Sequence, residues 1–137
     1  LIVGQDTDGL TDPIQANALW AVHMKKPFFV GQRSLRILSA RPPRQLLVGI
    51  ELPSGARLPK ENHLIIAAGE IAGRVTSIAR SPTLDRAIGL ALLTPDLAQG
   101  TGEISIRGDD GEMIAAKIVK TPFYDAQNLR QKAPVSA

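Results

Sequence analysis

The chain contains no cysteine. Disulfides and thiolate-ligated zinc are therefore excluded, and the composition fits a reducing, cytoplasmic compartment. Aromatic residues are scarce, with one Trp, one Tyr and three Phe. Stacking on nucleic-acid bases needs aromatics interleaved with basic residues, so this scarcity argues against a nucleic-acid partner. The two histidines, His23 and His63, lie far apart in sequence and neither has a partner four residues on, so they supply no metal site. No apolar run approaches the roughly 20 residues of a membrane span, which argues against a membrane partner. Charge of one sign is not in excess either: 16 Lys and Arg face 13 Asp and Glu, a net charge of +3.

What is present is a globular composition, 44% hydrophobic and 21% charged. A length of 137 residues suits one domain with a real core. The densest basic group runs from Arg33 to Arg44 and holds four arginines and no acid. It reads as a solvated face or as a site for an anionic ligand or an acidic partner surface.

The chain changes texture near Pro43. Before it, Leu1 to Val3 read as the end of a strand and Asp6 to Pro13 as turns. Thr11 or Asp12 can cap a helix with Pro13 at its first position. The segment 13–26 then carries Ile14, Ala18, Leu19 and Val22 on one stripe, which predicts a three-turn helix ending in Lys25 and Lys26 before Pro27. A short helix is expected after Gly31. Beyond Pro43 come "QLLVGIEL", "HLIIA", "GRVTSIAR", "AIGLALL", "GEISIR" and "EMIAAKIVK", short Ile/Val/Leu-rich runs separated by turn residues. Such runs argue for a closed β-barrel or a sandwich, and the expectation is a mainly β fold, one closed or nearly closed antiparallel barrel of about six strands over 45–123 preceded by a helical segment. "TPDLA" can hold one helical turn. Val75, Ile78, Ile88, Leu90 and Leu92 are expected in the core, with Gly73 at a tight entry and a turn at Ser81 to Asp85. Strict alternation puts Val75 and Ile78 on opposite faces, so a bulge or two-sided burial is required between them. The tail 126–137 is polar and is expected to be flexible.

No local motif makes an enzyme. Counted from Asp6, an EF-hand loop fails at its fifth, sixth and twelfth positions, so Asp6 and Asp8 read as turn residues. "GTGEIS" lacks the third glycine of a dinucleotide fingerprint and enters a strand. There is no Walker lysine and no GxSxG. On residue chemistry alone there is no catalytic set and no metal set.

Five segments in fixed order nevertheless carry a signal: "GQDTDGLTDPIQANALWAV", "KKPFFVGQRSL", "LVGIEL", "GRVTSIARSPTLDRAIGLALL" and "VKTPFYD". Together, over about Leu1 to Asp125, they resemble the C-terminal part of the aminomethyltransferase family, the glycine-cleavage T-protein and its relatives. Within it, "IVGQDTDG" followed by "KKPFFVGQRSL" is most similar to the large (alpha) subunits of heterotetrameric sarcosine oxidases. The resemblance implies three regions: 1–43, the mostly helical end of a folate-binding domain; 44–125, the C-terminal barrel; and 126–137, the tail. It implies that the chain is the C-terminal piece of a larger subunit and that upstream domains of that subunit, and other sarcosine oxidase subunits, are its partners. Tetrahydrofolate is the implied cofactor, capturing the methylene group released when sarcosine is demethylated to glycine. FAD, FMN and NAD would lie elsewhere in such a complex. True aminomethyltransferases and non-catalytic folate-binding proteins of the family remain alternatives.

Carried over residue by residue, Lys25 and Lys26 would hold the carboxylates of the folate tail, where the residues alone equally suggest helix C-terminal cations. Tyr124 would pack on a planar ligand or simply on the barrel rim. Arg130 would supply a terminal cation. The catalytic aspartate of the family lies upstream of Leu1, so Asp6 and Asp8 inherit no catalytic role.

Overall fold

The computed structural model describes residues 1–100 and 102–132. Six strands follow Pro43: β1 (Leu46–Leu52), β2 (Leu64–Ala67), β3 (Glu70–Ser81), β4 (Arg86–Leu93), β5 (Glu103–Arg107) and β6 (Met113–Val119). They close into an antiparallel barrel in the order β1-β4-β3-β2-β5-β6, and β6 returns to β1 through Gly49–Val119, Ile50–Ile118 and Glu51–Lys117. Closure pairs the edges that an open sheet of such apolar strands would expose. The expected mainly β barrel is the observed fold. A single helical turn, Pro95–Ala98, sits between β4 and β5.

The core is the barrel interior. Ile50, Leu52, Ile65, Val75, Leu93, Ile104 and Ile106 are buried there with Ala87, Ala91 and Ala116. The bulge expected in β3 is present. Val75 pairs with Ala91 and Ser77 with Leu90, so Thr76 is the extra residue. It lets Val75 and Ile78 both face inward although they are three residues apart.

The expected facing of β4 is corrected. Ala87, Ala91 and Leu93 line the core, whereas Ile88 and Leu90 are half buried outside that cluster, and Leu92 is buried outside it. Space decides this. A Cβ on inward-facing Gly89 would lie 2.3 Å from the Ser77 carbonyl oxygen and 2.6 Å from Ile78 Cδ1. Small residues must therefore face in beside the bulged strand, and large ones turn out. Ile88→Ala should consequently cost about 1–2 kcal/mol in urea unfolding, below the roughly 2–5 kcal/mol of a fully buried position.

The helix expected over 13–26 does not form. Asp12 caps a turn as its sequence suggested, its Oδ1 accepting from Ile14 N at 2.7 Å and Gln15 N at 3.0 Å. Asn17 then adopts φ 51°, the left-handed region that ends helices. What remains is a 3₁₀ turn at Leu19–Ala21. The short helix after Gly31 does form, as α1 (Gln32–Ser39). Residues 1–43 are thus mostly turns. They run over the outer face of the barrel, where Gln15 O accepts from Leu47 N at 2.7 Å. Leu47 and Leu92, cross-strand neighbours outside the core cluster, are buried on that covered face.

The far loops are held by charge. Arg57 Nη1 reaches Asp110 at 2.9 Å and Glu112 at 3.3 Å. Lys60 Nζ and His63 Nε2 both meet Asp109. The Lys60 ammonium first, and His63 second, pull the Asp109 carboxyl down to about 2. A depressed folded value means that this linkage stabilises the fold above the ordinary carboxylate range and is lost as pH falls toward 2. Carboxyl NMR titration should place the Asp109 midpoint near that value, and Lys60→Ala should raise it. A midpoint in the ordinary range for the unaltered chain would contradict the pairing.

Candidate functional site

Lys25 and Lys26 sit in the turn after the 3₁₀ segment, so they do not terminate an α-helix. Lys26 N donates to His23 O at 3.1 Å. The turn is fixed from behind by Gln32, buried at the start of α1, whose Nε2 donates to Lys26 O at 2.9 Å and Met24 O at 3.3 Å. Both lysine side chains are exposed. They are free of the helix-capping duty that the sequence offered as their alternative role.

The structure brings Tyr124 and Arg130 together. The Arg130 guanidinium lies 5.3 Å from the centroid of the Tyr124 ring, a cation–π arrangement. Asp125 makes the return possible. Its carboxylate accepts from Leu129 N at 2.8 Å and Arg130 N at 3.0 Å, folding the chain back as a 3₁₀ turn at Leu129–Gln131. A planar ligand stacking on that face of Tyr124 has to displace or share the guanidinium. Residues 133–137 of the tail lie outside the described residues. Among the described contacts, none joins the two lysines to Tyr124 or Arg130.

Two further features were not legible from local motifs. The first is a cavity of about 250 Å³ between the leader and the barrel, lined by Leu1, Trp20, Leu47, Leu90, Pro122 and Phe123. Gly49 lets two of its lining residues pack close on β1, because a Cβ there would come within 2.9 Å of the Phe123 ring and the Thr121 methyl. That outward glycine in "LVGIEL" was the available signal. The second is a polar cavity of about 170 Å³ lined by Asp6, Asp8, Glu61, Asn62, Arg74 and Thr76. Asp8 is engaged locally: its Oδ1 accepts from Thr11 Oγ1 at 2.8 Å and Leu10 N at 2.9 Å, and these bonds hold its carboxyl below the usual value. Asp6 is buried, accepting from Thr76 Oγ1 at 2.6 Å and Ile2 N at 2.7 Å. Its Oδ1–Thr76 bond ties the leader to the bulge of β3. The turn expected at Asp6 and Asp8 is there, but Asp6 is also a long-range tether. Among the described residues no group of His, Asp and Glu could hold a metal ion.

Residues 45–125 match the family described as the glycine cleavage T-protein C-terminal barrel domain. The chain belongs to the glycine-cleavage T-protein family. Similar T-protein relatives include the aminomethyltransferase of Rubrobacter xylanophilus, 41% identical over 124 residues, covering 90% of this chain and 32% of that protein. That of Synechococcus sp. strain CC9311 is 37% identical over 124 residues, covering 90% of this chain and 33% of the relative. That of Thermotoga petrophila is 35% identical over 131 residues, covering 96% and 35%. The chain thus spans about a third of the length of the curated relatives it matches. In structure it is similar to the glycine cleavage system aminomethyltransferase T from Bartonella henselae, with TM-score 0.79 and 22% identity, covering 90% of this chain and 35% of that one. At that identity the likeness speaks for the T-protein barrel fold alone.

Proposed function

We propose that these residues are the C-terminal barrel and adjoining leader of a tetrahydrofolate-dependent aminomethyltransferase. The observation that carries this reading is the T-protein barrel match over 45–125, supported by relatives named aminomethyltransferase, one of them 41% identical. In this reading the barrel is a scaffold. It contributes one wall of a folate site whose other walls come from upstream domains of the same polypeptide, its principal partners. Exposed Lys25 and Lys26 attract the tail carboxylates, with Tyr124 and Arg130 as a second aromatic and cationic pair for the same ligand. The chemistry is passage of a methylene group from a lipoyl carrier to tetrahydrofolate.

A second reading is favoured by the wording "IVGQDTDG" and "KKPFFVGQRSL": the alpha subunit of a heterotetrameric sarcosine oxidase. There the same folate captures methylene from oxidised sarcosine, and the FAD, FMN and NAD sites belong to other domains and subunits. The full-length gene product separates the two readings. Tetrahydrofolate-dependent methylene transfer from an aminomethyl-lipoyl carrier supports the first. Sarcosine-dependent oxygen consumption supports the second. Neither activity in a folded full-length protein would leave a non-catalytic folate-binding role.

The 137-residue chain by itself should bind tetrahydrofolate weakly. A partial wall leaves the pterin wet, and the ordering costs of binding are not offset. Exposed charge pairs contribute little. Calorimetric titration should give a dissociation constant of roughly millimolar or weaker, about 4 kcal/mol or less of binding free energy. A micromolar constant lost on changing Lys25 and Lys26 to alanine would place the site within these residues instead.

A further inference from the structure

We propose that residues 125–131 are a strap, closed by the Asp125 carboxylate, that lays the Arg130 guanidinium over the Tyr124 ring and controls access to that ring.

The fixed end of the strap is on the barrel. Phe123 packs close on Gly49 of β1, which anchors the backbone entering Tyr124. Asp125 then takes φ 46° and Asn128 φ 55°, in the left-handed region that Asp and Asn tolerate better than other residues with a side chain. These two positions turn the chain back on itself. Three hydrogen bonds hold the reversal, and each ends on Asp125. Its carbonyl oxygen accepts from Asn128 N at 2.7 Å, its Oδ1 from Leu129 N at 2.8 Å and its Oδ2 from Arg130 N at 3.0 Å. Each carboxylate oxygen thus serves one amide, and hydrogen bonds to a carboxylate are the stronger kind.

The rest of the strap adds little hold on the barrel. Ala126 to Leu129 are exposed, Leu129 at 58%. A cation–π contact at an exposed site is weak alone, so the 5.3 Å approach of Arg130 to the ring centroid follows from where Asp125 places the Arg130 backbone. One side chain therefore decides between two arrangements. With its bonds made, the guanidinium occupies one face of the ring. With them broken, residues 126–131 swing free and that face opens to a planar group. Segments with few buried contacts and exposed hydrogen bonds open at small cost, which suits a cover. The device lies within the chain and does not depend on which planar group meets Tyr124.

Two readouts on the 137-residue chain test this. Tyr124 is the sole tyrosine, so photo-CIDNP with a flavin dye reads access to one ring, with the exposed Trp20 as internal reference. Trypsin cleavage after Arg130, measured against cleavage after exposed Lys25, reads the open population of the strap. Asp125→Ala should raise the Tyr124 signal about twofold or more and cleavage after Arg130 about tenfold. Asp125→Asn keeps a residue suited to the left-handed backbone and one acceptor oxygen, so it should fall between the two and serves equally if the alanine variant disturbs the barrel. Arg130→Lys keeps the cleavage site and all three bonds to Asp125, so its cleavage should stay near that of the unaltered chain, whereas Arg130→Gln should uncover the ring. Unchanged readouts in both Asp125 variants would overturn the proposal. So would an Arg130→Lys strap as open as that of Asp125→Ala, or a ring in Arg130→Gln as covered as before. Circular dichroism melting confirms that the barrels being compared are folded.

Discussion

Gly73→Ala should be among the most damaging single changes in the barrel, lowering unfolding free energy by about 3–5 kcal/mol. Gly73 lies where β3 meets both Leu93 of β4 and Ile65 of β2. A Cβ there would stand 2.0 Å from the Leu92 carbonyl oxygen and 2.8 Å from Leu93 Cδ2. No rotamer relieves a contact with backbone, so the strands must part by more than an ångström and ladder hydrogen bonds are lost with them. A small domain holds only about 5–15 kcal/mol in all, so this variant approaches the threshold of folding. Urea denaturation reads the effect, with Gly9→Ala as control, since a Cβ at Gly9 meets nothing within 4 Å. An unchanged midpoint for Gly73→Ala would mean that β3 and β4 are not apposed as described.

That glycine marks how far the sequence could be read. The six strands were legible because apolar, β-branched residues alternate between turn residues, and each predicted run contains most of the observed strand. The bulge was legible too, because Val75 and Ile78 could not share a face without one. The facing of β4 was not, because hydrophobicity favoured Ile88 and Leu90 over Ala87 and Ala91. Interior volume decided otherwise, and volume is set by the neighbouring strand rather than by β4 itself. The helix over 13–26 failed for a related reason. Its apolar stripe was real, but Asn17 breaks the backbone, and Leu19 and Trp20 remain exposed, at 46% and 87%. At the candidate site, Lys25, Lys26, Tyr124 and Arg130 were named from a resemblance. The Tyr124–Arg130 stacking depends on Asp125 turning the chain, which local pattern does not encode.

Asp6 was misjudged in the most instructive way, as a turn residue only, because its partner Thr76 is 70 residues away. Asp6→Ala should cost about 2–4 kcal/mol, since it strands the buried Thr76 hydroxyl and frees the Ile2 amide. Asp6 accepts both donors at 2.6 and 2.7 Å, and Asp6 and Thr76 are each 1% exposed, so both donors rest on this one carboxylate. The penalty comes from the orphaned partner as much as from the lost bond. Thr76→Val in the Asp6→Ala background should therefore recover about 1–2 kcal/mol, because it removes the unsatisfied hydroxyl while keeping the β-branched shape the bulge needs. A double-mutant cycle in urea measures this coupling, and amide hydrogen exchange over residues 2–16 shows whether the leader has come away from β3. Two single changes whose costs simply add, with leader exchange unaltered, would show that the Asp6–Thr76 bond does not fasten the leader. The barrel would then hold its shape without the tether, and the leader's position over its outer face would have to rest on Gln15, Leu47 and the packing around Trp20.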